Sequence, residues 1–163
     1  MKPILILILL GSFAIKGFSQ GDTLIIAMND STQLKLVKDK FDKELHEIVY
    51  WDSGKQAITS IDGKPVFGTD ATIPETELIF AELTLRNDKI SLETYGMFDP
   101  WPETGSIVSY QVEKFLGNPL RIRCLFSNGT GAYLAEWTIV GNKAFRTMIT
   151  HDLKVIDAVN FKE

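Results

Sequence analysis

From Leu120 to Thr150 apolar and polar residues alternate in three successive runs, the period of strands with one buried face. The first connection, Ser127 to Ala132, holds two glycines and an asparagine, residues that tolerate the positive φ a reversal needs. Closing it at Ser127 and Ala132 sets Phe126 opposite Tyr133, Cys124 opposite Ala135 and Ile122 opposite Trp137, all apolar. The other face then carries Arg121 against Thr138, Arg123 against Glu136 and Leu125 against Leu134. A slip of one residue would scramble both faces, so the pattern selects its own register. At the next connection, Gly141-Asn142-Lys143, a two-residue loop would bring Arg146 against Trp137 on the apolar face. A three-residue loop pairs Ile139 with Phe145, Trp137 with Thr147 and Ala135 with Ile149, and is the expected one.

Upstream, Thr23 to Met28 reads as a strand. The four, four and three spacing of Val37, Phe41, Leu45 and Ile48 allows a helical turn around Lys38 to His46. His46 to Asp52 is strand-like. The Asp62-Gly63 pair between Ala57–Ile61 and Lys64–Phe67 is a strong hairpin signal, with Pro65 confining the return strand to an edge or a short piece. A third hairpin over Glu77–Arg86 and Lys89–Tyr95, turning at Asn87-Asp88, would set Leu83 against Leu92 and Glu82 against Glu93. Ile107–Phe115 and Leu153–Phe161 read as further strands. The whole predicts an all-β antiparallel meander of about nine or ten strands, closed as a sandwich or an up-and-down barrel, with room for one short helix near residues 38–46.

The 163 residues suit one domain behind a leader. Met1-Lys2-Pro3, the apolar run Ile4–Leu10 and the small residues Gly17 and Ser19 have the layout of a signal peptide over residues 1–19. Residues 20–163 are then a single secreted β domain. Lys16 interrupts an apolar run too short to span a bilayer, so no membrane span is expected once the leader is gone. Cys124 is the only cysteine, which excludes an internal disulfide, and its place on the apolar face makes it a core residue. A disulfide-free exported domain fits a Gram-negative periplasm or surface. The formal charge is −4, and losing Lys2 and Lys16 makes it more negative, which argues against nucleic acid as partner.

Three constellations could carry chemistry. Glu82 facing Glu93 would be a like-charge pair, suited to the acid and base of a carbohydrate-active hydrolase, or else a solvated face. Arg121, Arg123, Glu136 and Arg146 share a face that would line an anion pocket if a barrel turned it inward, and is charged alternation if it faces solvent. Phe98, Asp99, Trp101 and Glu103 stand on a loop stiffened by Pro100 and Pro102, fit to contact a glycan or another protein, or to fold back as a plug over one end of the sandwich. His46 and His151 have beside them only Glu47 and Asp152, and Asp70, Glu75 and Glu77 have generic spacing, so neither a metal nor another cofactor is expected. No nucleophile elbow or nucleotide-binding loop occurs. The leading expectation is a non-enzymatic binding or interaction module taking a glycan, a small anionic ligand or another protein, with the hydrolase and the arginine-lined carrier as alternatives.

Overall fold

The computed structural model describes residues 21–29, 31–51, 53–54, 57–101, 108–114, 119–126, 129–159 and 161. Residues 1–20 and Glu103 therefore lie outside the described part, and with them the leader.

Eleven strands form three antiparallel sheets among these residues. The first sheet, in the order β1-β2-β6-β7, takes β1 (Asp22–Asn29), β2 (Thr32–Lys40), β6 (Thr76–Leu85) and β7 (Asp88–Ser91). The second, in the order β11-β10-β9-β8, is the meander of β8 (Ser109–Lys114), β9 (Leu120–Phe126), β10 (Tyr133–Val140) and β11 (Lys143–Thr150). A small third sheet joins β3 (Ile48–Tyr50), β4 (Ile58–Ile61) and β5 (Lys64–Pro65). The inward residues of the two large sheets make one core. Leu34, Leu36, Leu83 and Ile90 on one side meet Ile122, Cys124, Phe126, Tyr133 and Trp137 on the other. That is the arrangement of a sandwich, and no closed barrel forms among the described residues.

The β9–β10 register is the one the alternation demands, from Phe126–Tyr133 through Cys124–Ala135 to Ile122–Trp137. β10 and β11 depart from expectation. The turn is a two-residue Gly141-Asn142 loop, with Val140 opposite Lys143 and Trp137 opposite Arg146. A bulge at Glu136/Trp137 then absorbs one residue, so that Ala135 meets Ile149 as the longer loop would have placed it. Thr147, the extra residue, donates its hydroxyl to Glu136 Oε1 at 2.7 Å. Arg146 therefore sits beside Trp137 and not on the face of Arg121, Arg123 and Glu136.

One further expectation is narrowed and another corrected. Residues 38–40 continue β2, whose alternation runs unbroken to Lys40, and only Lys43–Leu45 form a single 3₁₀ turn capped by Asp42. Leu153–Asp157 is a short helix (α1), not a closing strand, because the Asp152 carboxylate caps it through the Lys154 N–H at 2.9 Å.

The small sheet has its own core of Phe41, Ile58, Ile61 and Phe98. It joins the sandwich where two backbones touch. Phe67 and Met97 form a parallel bridge, and the Phe98 N–H donates to the Phe67 carbonyl at 2.8 Å. Met97 enters the sandwich core and the next residue, Phe98, the small core. Asp99 holds the bend, with φ 39° and Oδ1 accepting from the N–H groups of Glu75 and Thr76 and the Thr76 hydroxyl. Gly68 makes the approach feasible. Its φ is 104°, and a Cβ there would lie 1.7 Å from the Phe98 carbonyl oxygen. Gly68→Ala is expected to lower stability by at least about 2 kcal/mol. Urea denaturation checks this, and an unchanged midpoint would contradict the close approach.

Candidate functional site

The loop aromatics of the sequence are interior groups. Phe98 is 5 % and Trp101 4 % exposed. Trp101 packs in the sandwich core: its indole N–H donates to Asp22 Oδ2 at 3.1 Å, and its carbonyl accepts from the buried Lys38 ammonium at 2.9 Å. Lys38 also lies 3.8 Å from Asp22, so its charge has both a carbonyl and a carboxylate. Asp99 spends its carboxylate on the bend described above. Trp101 is thus packed in the sandwich core and Phe98 in the core of the small sheet, and neither ring stands at the surface.

Arg121, Arg123 and Glu136 do meet on the outward face of the second sheet. Glu136 Oε2 lies 2.7 Å from Arg123 Nε and 3.3 Å from Arg121 Nε. Glu113, from β8, pairs with both arginines at 3.4 and 3.0 Å, and Gln111 accepts a further bond from Arg123. Two cations meet two carboxylates, so the cluster has no surplus positive charge to hold an anion. Arg146 lies apart, bonded to Glu93 Oε1 at 2.8 Å and to the Tyr95 carbonyl at 2.6 Å.

Glu82 does not face Glu93. The β6–β7 turn falls at Arg86-Asn87, with Arg86 at φ 58°, and pairs Glu82 with Ser91 and Leu83 with Ile90. The Arg86 N–H is held by the Ser31 carbonyl at 2.6 Å. Glu82 is neutralised by Lys89 at 3.0 Å and Glu93 by Arg146, so the two carboxylates do not form an acid–base pair.

The arrangement that converges is one the sequence did not disclose. A cleft of about 350 Å³ opens between the small sheet and β6, lined by His46, Asp62, Lys64, Glu77, Tyr95 and Phe98 among others. That volume lies at the low end of the roughly 300–1,000 Å³ typical of small-molecule sites. The Asp62-Gly63 turn, with φ of 52° and 69°, swings the Asp62 carboxylate back toward the start of β3. There Oδ1 accepts the Glu47 N–H at 2.9 Å and Oδ2 lies 2.7 Å from His46 Nδ1. Phe41 stacks on the imidazole at 4.6 Å between centroids and fixes its plane. The other ring nitrogen, Nε2, faces Glu77 Oε2 at 3.9 Å. Tyr95, half exposed at the cleft, has the Lys64 ammonium 5.0 Å and the Arg146 guanidinium 4.4 Å from its ring centre.

The two carboxylates are poised in opposite directions. The His46 hydrogen bond, helped by the Glu47 N–H, holds Asp62 below the usual carboxylate range. Burial pushes Glu77 above it, opposed by the nearby His46 and reinforced by Asp39 and Asp62. A second cleft of about 260 Å³ is lined by His151, Asp70, Thr130 and Gly68, where His151 packs against the Phe67 ring. Among the described residues no three or more His, Cys, Asp or Glu side chains are placed to hold a metal ion, and no helix is long and apolar enough to cross a membrane. Cys124 is wholly buried, and its thiol is pushed far above its ordinary range by desolvation. No protein-family model, curated protein or solved structure matches this chain.

The only sequence signal for the His46–Asp62 pair was the hairpin itself. Pairing Ile48 with Ile61, as β3 and β4 do, brings Asp62 beside Glu47 and its neighbour His46. Glu77 joins them only through tertiary packing.

Two predictions follow from the charges. Glu136→Gln removes the shared partner of two half-buried arginines and is expected to cost about 3 kcal/mol, whereas Glu113→Gln at the more exposed rim should cost less than about 1 kcal/mol. Urea midpoints compare them, and equal losses would contradict the ranking. Because the folded Glu77 carboxyl titrates above its unfolded value, its stabilising contribution is complete only below that unfolded value. It is lost as pH rises through the folded one. Glu77→Gln should therefore raise the melting temperature near about pH 7, with the gain vanishing near about pH 3. A melting temperature that falls at neutral pH would contradict the assignment.

Proposed function

We propose that the chain is an exported, non-enzymatic binding module whose ligand seats in the cleft of His46, Asp62, Glu77 and Tyr95. The observation that carries this reading is a concave site with convergent polar groups on an apolar floor of Ile61, Leu78, Met97 and Phe98. Glu77 adds to it. A carboxylate kept where burial disfavours its charge costs stability in the empty protein, and such costs concentrate at working sites. The catalytic alternative has less support, since Glu82 and Glu93 are each paired with a different cation. Asp62 and His46 could act as a base with its orienting carboxylate, but no nucleophile is within hydrogen-bond reach of the imidazole among the described residues.

A fragment screen followed by amide NMR shifts tests this. Saturable shifts are expected to cluster on Ile61, Asp62 and the 94–98 segment, and Glu77→Gln should weaken the best fragment about tenfold with the melting transition intact. Shifts confined to the second cleft, or to the Arg121–Glu136 face, would overturn the assignment.

A further inference from the structure

Resting on the cleft reading, we infer that the ligand group received between His46 and Glu77 is a primary ammonium, carried on a small apolar or aromatic body. The hydrogen-bond accounting leads there. Asp62 is an ionised acceptor already engaged by the Glu47 N–H, so the 2.7 Å contact requires His46 Nδ1 to carry the proton. Whenever the ring is neutral, Nε2 is then a bare acceptor. It faces a second acceptor, Glu77 Oε2, across 3.9 Å, too far for a direct hydrogen bond. Two acceptors confronting each other call for a group with at least two hydrogens to give. An ammonium, with three donors and no acceptor, meets this need, as an amide NH2 also would, whereas a hydroxyl has one hydrogen and can satisfy only one side.

Charge selects in the same sense. Asp62 and Glu77 contribute two carboxylates to the lining and Lys64 one ammonium, which is drawn over the Tyr95 ring. Arg146, which also lies over that ring, is paired with Glu93. A cation arriving at His46 thus meets a net negative wall, and a carboxylate ligand would meet Glu77. The remaining lining, Ile61, Leu78, Met97 and Phe98, receives hydrocarbon.

Three probes of one shape separate the possibilities: benzylamine, benzyl alcohol and benzoate, titrated into the protein with His46 ring protons and cleft amides followed by NMR. Benzylamine is expected to give saturable shifts at His46, Asp62 and Met97, with benzyl alcohol about tenfold weaker or worse and benzoate without effect. Glu77→Gln should reduce benzylamine to the level of the alcohol while the melting transition stays intact. Equal binding of alcohol and amine would overturn the ammonium assignment and leave the cleft reading standing. Tighter binding of benzoate would also overturn it, transferring recognition to Lys64. Silence at the cleft with all three probes would overturn the assignment, and silence in the fragment screen as well would remove the cleft reading with it.

Discussion

The structure depends on a two-residue divergence. Met97 and Phe98 are neighbours in sequence, yet one completes the sandwich core and the other the core of the small sheet. Adjacent side chains of an extended backbone point to opposite sides, so a single strand-like segment can serve two cores provided its backbone is pinned between them. The pins are visible: the Leu78 N–H on the Met97 carbonyl, the Phe98 N–H on the Phe67 carbonyl, and the Asp99 carboxylate taking three donors from Glu75 and Thr76. Gly68 is the concession that lets the backbones approach. Without this weld a three-stranded sheet of nine residues, two of them Lys64 and Pro65, would have little to hold it.

The cleft is a by-product of the same weld. Its polar groups come from the segment just before β3, the β4–β5 turn and the second residue of β6, and they converge only because the small sheet is docked where it is. The fold thus places Glu77 half out of water opposite an imidazole whose other nitrogen is committed to Asp62. Rigidity at the weld and electrostatic cost at Glu77 belong to one design, a preformed site with an unmet hydrogen-bonding need.

Legibility followed the cost of error. In β9–β10 a one-residue slip would expose Trp137 and bury Arg123, so the register could be read from the alternation alone. In β6–β7 the true register differs from the expected one by two residues. A slip of two leaves every side chain on its own face, so nothing in the pattern opposed the Glu82–Glu93 pairing. The choice of turn was made by the Ser31 carbonyl, a distant contact. In β10–β11 each loop length was right for half the hairpin, because a bulge switches between them. Phe98 and Trp101 were legible as aromatics on a stiff loop, with contact patch and plug both open, and the structure buries each ring in a different core. The cleft was nearly silent, since His46, Asp62 and Glu77 lie in three separate elements with no motif spacing.

The most direct measurement is native-state amide hydrogen exchange across the junction. The account predicts that the Phe98, Phe67 and Leu78 amides exchange only through the opening that also releases the core amides of β6 and β9, making the small sheet and sandwich one cooperative unit. If those amides, with Ile58 and Asp62, exchanged through a separate opening of low free energy while β9 and β10 stayed protected, the small sheet would be detachable. The cleft would then not be a preformed site.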